Sequence, residues 1–156
     1  MKERAANNNG DPIEAHELSR RRHYSASMKF NSLIPELTVS DIERTKRFYI
    51  DVLQFSVEYE REEDGFIFLS LDGNQMMFEQ LGDNWSVGEL SYPFGRGVNF
   101  EMTVSDVETL YSRVLSNGIK PFRELKVNRY RNGDELIVQK EFLIQDPDGY
   151  LLRFTD

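Results

Sequence analysis

The sequence predicts an α+β domain: two tandem βαβββ modules whose strands form a cupped mixed sheet. Three observations carry this. TVSDIE at 38–43 recurs as TVSDVE at 103–108, and Glu36 matches Glu101 at the same offset of 65 residues. Each copy leads into a helical pattern, and three strand-patterned runs follow each helix.

The elements follow in order. Residues 1–27 are Asn-rich and charged, with five Lys/Arg against four Asp/Glu and almost no large apolar side chain, so they are expected to form a disordered tail. The folded domain is placed at 28–156, with module 1 over about 30–81, a linker over 82–97 and module 2 over about 98–156. In the first strand Leu33, Pro35, Leu37 and Val39 are expected on the helix side, leaving Ile34, Glu36 and Thr38 on the open face, because side chains alternate across a strand. Ser40 and Ser105 are read as helix N-caps, with Glu43 and Glu108 three residues on completing capping boxes. The first helix spans about 41–53. In the second, Val107, Leu110, Tyr111, Val114 and Leu115 form one apolar stripe that Asn117-Gly118 terminates.

Module 1 then shows alternation at Phe55, Val57 and Tyr59, an apolar run over 66–71 after Glu63-Asp64-Gly65, and a third run over 75–81 after Asp72-Gly73-Asn74. Module 2 repeats the plan with strands near 119–127, 135–145 and 150–155, the last after Asp146-Pro147-Asp148-Gly149. In its first strand Phe100, Met102 and Val104 point inward while Asn99, Glu101 and Thr103 face out. Glu36 and Glu101 therefore share the open face, which lines a cleft if the modules curve together. The linker is aromatic for a connection, carrying Trp85, Tyr92 and Phe94.

Composition narrows the chemistry. Apolar residues make up 39%, and no run reaches the roughly 18–20 residues a bilayer span needs; no apolar signal segment is found, so a cytoplasmic location is expected. A net charge of -8 argues against nucleic acid or anionic membrane as partner and favours a cationic guest. The absence of cysteine removes disulfides, thiolate nucleophiles and zinc–thiolate sites, and both histidines, His16 and His23, fall in the tail. Histidine-based metal sites and Ser-His machinery are thus excluded from the domain. Oxygen-only cation binding or carboxylate acid–base chemistry is left.

IPELTVSD at 34–41 running into RFYIDVLQF at 47–55, the repeated TVSD at 103–106, and KEFLIQDPDGYLLRF at 140–154 resemble the vicinal oxygen chelate superfamily, and within it the bleomycin-resistance branch, over residues 28–156. The resemblance implies that metal-using members would place ligands at Ile34, Glu79, Asn99 and Arg153. Only Glu79 is a good ligand, so no metal and no cofactor are expected, and a Glu79–Arg153 pair is the expected replacement. Gln54 stands where the family usually has glycine. The resemblance further implies a non-enzymatic homodimer that sequesters a cationic, aromatic, bleomycin-like ligand. Its ligand-binding residues are expected to be Glu36, Thr38, Glu79, Trp85, Tyr92, Phe94, Asn99, Glu101 and Arg153, with no catalytic residue. The alternative is an enzyme of the same superfamily, working through a hard cation at Glu79 or through carboxylate acid–base chemistry at Glu36 and Glu101.

Overall fold

A computed structural model describes residues 29–82 and 86–156. The expected tail lies outside the described residues, as does Trp85. The order is β1 (Glu36–Val39), α1 (Ile42–Lys46, prolonged by a π-helical stretch Arg47–Val52), β2 (Ser56–Arg61), β3 (Phe66–Leu71), β4 (Asn74–Gln80), then β5 (Asn99–Thr103), α2 (Val107–Ser116), β6 (Arg123–Asn132), β7 (Glu135–Gln145) and β8 (Leu151–Thr155). This is βαβββ twice. The strands form two separate four-stranded mixed sheets, ordered β1-β4-β3-β2 and β5-β8-β7-β6, in which the first and last strands of each module pair in parallel.

Both helices begin one residue later than the serines suggest. Asp41 and Asp106 are the N-caps, each carboxylate accepting a 2.9 Å hydrogen bond from the backbone N–H three residues on, in Arg44 and Thr109. Aspartate caps as well as serine does, and the serines are used elsewhere: Ser40 bonds to Asp148 and Ser105 to Asp72, each in the opposite module. Gln80 adds to the first cap by accepting from the Ile42 N–H at 2.7 Å.

The uneven apolar spacing of the first helix has a cause. Leu53 N–H bonds to Phe48 C=O, five residues back, and the wider π turn brings Tyr49 and Leu53 fully inside, both 0% exposed. The second helix follows its predicted stripe through Val107, Leu110 and Val114, with Tyr111 partly buried against the core, whereas Leu115, also expected in the stripe, is exposed. It ends at Asn117, and Gly118 takes φ +73°, the left-handed conformation expected there. Gln54 is also left-handed, at φ +65°.

Strand alternation holds in part. Leu37, Val39, Met102 and Val104 are buried as predicted, whereas Leu33 precedes β1 and is exposed. A bulge between Val57 and Tyr59 breaks the expected alternation in β2, so Val57 is exposed while Tyr59 is buried. β6 starts later and runs further than predicted, to Asn132. One hydrophobic core draws on the helix side of both modules: Leu37, Tyr49 and Phe78 from the first, Val114, Phe142 and Phe154 from the second. It includes the Tyr49–Phe78 ring pair at 4.3 Å and the stacked Phe142–Phe154 pair at 5.3 Å. No helix among the described residues is long and apolar enough to cross a membrane.

Candidate functional site

Strand register defines what each sheet presents on the face opposite its helix. In module 1, one row across the sheet is Thr38, Glu79, Phe66 and Arg61; the next is Glu36, Met77, Phe68 and Tyr59. Glu36 and Glu79 thus lie diagonally across a parallel strand pair. Burial raises the Glu36 carboxyl above its ordinary value, the charge on Glu79 raises it further, and Arg61 partly opposes both. Tyr59, Phe66 and Phe68 are 8%, 4% and 0% exposed, although they lie on the other side of the sheet from Ile67 and Leu69. The Arg61 guanidinium lies 4.0 Å from the Phe66 ring centroid, within cation–π range. The aromatic centre of this face is therefore buried, with two carboxylates and one arginine in its rows. Sequence reasoning missed Tyr59, Arg61, Phe66 and Phe68. The signal was the unbroken run FIFL, since a strand apolar at every position is covered on both faces.

In module 2 the corresponding rows are Asn99–Leu151–Gln145, Glu101–Arg153–Leu143–Arg123 and Thr103–Thr155–Glu141–Lys126. Arg153 is held at the centre. Its Nε donates to Glu141 Oε2 at 2.6 Å, its Nη2 also reaches Glu141, and its Nη1 lies 3.2 Å from Glu101 Oε2. The expected Glu79–Arg153 pair is not formed: strand pairing places Arg153 directly beside Glu101, while Glu79 is in the other sheet. Glu101 is consequently ion-paired to Arg153, and Glu36 and Glu101 stand on two different sheets. A pocket of about 310 Å³ opens over this network, lined by Asn99, Phe122, Arg123, Tyr130, Leu151 and Arg153 among others. A neighbouring hollow of about 420 Å³ shares Phe122, Arg123 and Glu141 and adds Lys126. Such volumes suit small organic ligands.

The linker residues divide. Tyr92 is 65% exposed, but Phe94 is 8% exposed and packs edge-on against Tyr150 at 6.0 Å, so its ring is used in the core. Phe122 and Tyr130, 55% and 44% exposed, supply flat surface beside the module 2 pocket instead.

The residues at the four positions that the resemblance marked as ligands do not fit a metal ion. Ile34 offers no donor atom, and the Arg153 guanidinium, engaged by two carboxylates, would set a fixed positive charge against a cation. Among the described residues no group of three or more His, Cys, Asp or Glu side chains is placed to hold a metal.

Paired βαβββ modules, each a four-stranded mixed sheet backed by one shared core, define the class of fold. The chain belongs to the glyoxalase/bleomycin resistance protein/dioxygenase superfamily, which matches residues 29–154. It is 40% identical to a member of that superfamily from Vibrio splendidus 12B01, over 77% of this chain and 93% of the other, where sequence and not superposition (TM-score 0.37) carries the likeness. TioX from Micromonospora sp. ML1 is 21% identical over 81% of this chain and 98% of its own, with a TM-score of 0.61. A glyoxalase/bleomycin resistance protein/dioxygenase from Alicyclobacillus acidocaldarius is 23% identical over 80% and 89%, with a TM-score of 0.56. These two share the fold. No curated protein matches the chain.

Proposed function

We propose that the chain is a non-enzymatic binding protein of the bleomycin-resistance type, one that sequesters a cationic aromatic small molecule on its open sheet faces. The observation that carries this reading is Arg153. A guanidinium clamped by Glu101 and Glu141 stands where a metal-using relative would need a ligand, and the exposed rings of Phe122 and Tyr130 line the cavity beside it. A cation is favoured because Glu36 and Glu79 repel one another, and a bound ammonium would relieve that repulsion. Flat surface for the guest's rings comes from Phe122 and Tyr130, with Tyr92 exposed on the linker.

Isothermal titration with metal-free and copper-loaded bleomycin tests the reading. Saturable binding that weakens in Glu36→Gln/Glu79→Gln supports it. Absence of binding at high micromolar ligand, with the protein shown to be folded, counts against it.

One observation favours the enzyme reading: burial and the neighbouring Glu79 charge raise the Glu36 carboxyl above its ordinary value. Elemental analysis after dialysis and a screen of small carbonyl and epoxide substrates separate the two readings. Stoichiometric divalent metal, or turnover lost in Glu36→Gln, would replace sequestration by catalysis.

A further inference from the structure

The turn between β7 and β8 reaches into module 1 at three alternate residues. Asp146 accepts a hydrogen bond from the Tyr49 hydroxyl at 3.1 Å, Asp148 takes the Ser40 hydroxyl and the Arg44 guanidinium, and the Tyr150 hydroxyl donates to the Thr38 carbonyl at 2.9 Å. The linker closes over the same turn. Phe94 N–H bonds to the Asp148 carbonyl, and a side chain at Gly149 would collide with Pro93. Among the described residues Asp146 and Asp148 are the two buried carboxylates, and the Asp148 N–H donates to Asp146 Oδ1.

Their surroundings are unequal. Arg44 pairs with Asp148, whereas among the described residues no cation pairs with Asp146. The titratable groups facing Asp146 are Tyr49 from the first helix, Tyr150 just before β8 and Asp148 in its own turn. None of them is positive. An ionised Asp146 is therefore an enclosed negative charge beside a second one, and either a proton or water relieves it. Burial, the largest influence, accordingly raises this carboxyl to about 6, against the partial opposition of its hydrogen bonds. The reciprocal contact, Asp72 with Ser105, has no such feature: Asp72 is exposed, in a two-residue turn between the paired Leu71 and Asn74.

We propose that the 146–150 turn is a proton-operated joint between the modules, closed on Tyr49, Ser40 and Thr38 while Asp146 carries a proton and opening when that proton leaves. The closed form holds the proton more tightly than the open one, so opening becomes easier as pH rises through about 6. Opening frees the Thr38 carbonyl, and Thr38 lies beside Glu79 in the β1–β4 register. The effect on a guest at that row rests on the binding reading; the joint itself does not.

Amide hydrogen exchange of the full chain, followed by NMR between pH 5 and 7.5, tests it. Each contact has its own reporter, since the Ser40 N–H bonds to Asp148 and the Ser105 N–H to Asp72. Corrected for the intrinsic pH dependence of exchange, protection at Ser40 is expected to fall about tenfold while that at Ser105 stays level. Asp146→Asn should abolish the fall. Tyr49→Phe should raise the pH at which the fall levels off, because the tyrosine hydrogen bond favours the ionised form; a merely structural tyrosine would lower protection without moving that pH. Equal profiles at Ser40 and Ser105, a fall that survives Asp146→Asn, or an unmoved profile in Tyr49→Phe would each overturn the inference. Bleomycin titrated at both pH values reads the guest separately. Affinity that drops with pH more in wild type than in Asp146→Asn supports the link from joint to row, and an equal drop in both overturns that link. Absence of binding, with exchange as expected, overturns the binding reading and leaves the joint standing.

Discussion

Asp148, in the β7–β8 turn, accepts hydrogen bonds from the backbone N–H and the hydroxyl of Ser40 at 3.1 and 2.5 Å, across 108 residues of chain. Arg44 adds an ion pair to the same carboxylate at 2.9 Å. The relation is reciprocated. Asp72, in the β3–β4 turn, accepts from the N–H and hydroxyl of Ser105 at 2.8 and 3.0 Å. Each module's aspartate–glycine turn thus holds the strand-to-helix corner of the other. Tyr150 OH to Thr38 C=O and Asn74 Nδ2 to Thr103 C=O repeat the exchange.

The two clasps differ in burial, and their removal should differ accordingly. Asp148 is 2% exposed and satisfies three donors, so Asp148→Ala is expected to cost about 3 kcal/mol. Asp72 is exposed, and Asp72→Ala is expected to cost about 1 kcal/mol. Urea unfolding of both variants checks this. Equal losses would mean that the clasps are not graded by solvent exclusion.

Asp146 gives the fold a pH dependence. It is buried and accepts from Tyr49 OH at 3.1 Å and from the N–H groups of Asp148 and Tyr150. Burial is the largest influence, and it lifts the carboxyl from 3.8 to about 6. The native state therefore holds this proton more tightly than the unfolded chain does. Its contribution is fully present below pH 3.8 and is lost as pH rises through about 6. Between pH 4.5 and 7.5 wild type should lose on the order of 2 kcal/mol more stability than Asp146→Asn, whose amide does not titrate. Parallel stability curves for the two proteins would refute the assignment.

Gln54 carries a strained backbone. At φ +65° a side chain costs on the order of 1 kcal/mol that glycine does not. Gln54→Gly is expected to stabilise by about 0.5 kcal/mol, part of the gain being offset by the greater freedom of glycine in the unfolded chain. A lower melting temperature for the variant would show that the glutamine has a compensating contact.

What the sequence revealed of this architecture was what repetition and periodicity encode. The doubled TVSD, the Val107–Val114 stripe and the Gly118 stop each depend on a local rule, and each is found in place. Val57 was misplaced because a bulge inserts a residue without altering composition. The arm from Lys126 to Asn132 was missed because its residues are mostly polar and are held chiefly by hairpin pairing to β7. The partner of Arg153 was misassigned for a deeper reason. A side chain's face can be read from strand parity, whereas its neighbour depends on which strands pair, and only the β5–β8 register brings Glu101 to Arg153.

Arg153 offers a test of the guest's charge. Two carboxylates, Glu101 and Glu141, are occupied by this one guanidinium. A cationic ligand entering the pocket must compete with it, whereas an anionic ligand would seek it. Arg153→Gln frees both acceptors while keeping a polar side chain of similar reach. For a cationic aromatic ligand the variant should bind about three- to tenfold more tightly, a gain of roughly 1 kcal/mol, with on-rates that fall more steeply with salt than those of wild type. Titration of wild type and variant with one ligand of each charge decides it. Binding of the cationic probe that weakens in Arg153→Gln would show that the arginine is a ligand contact and that the pocket is built for a negative group.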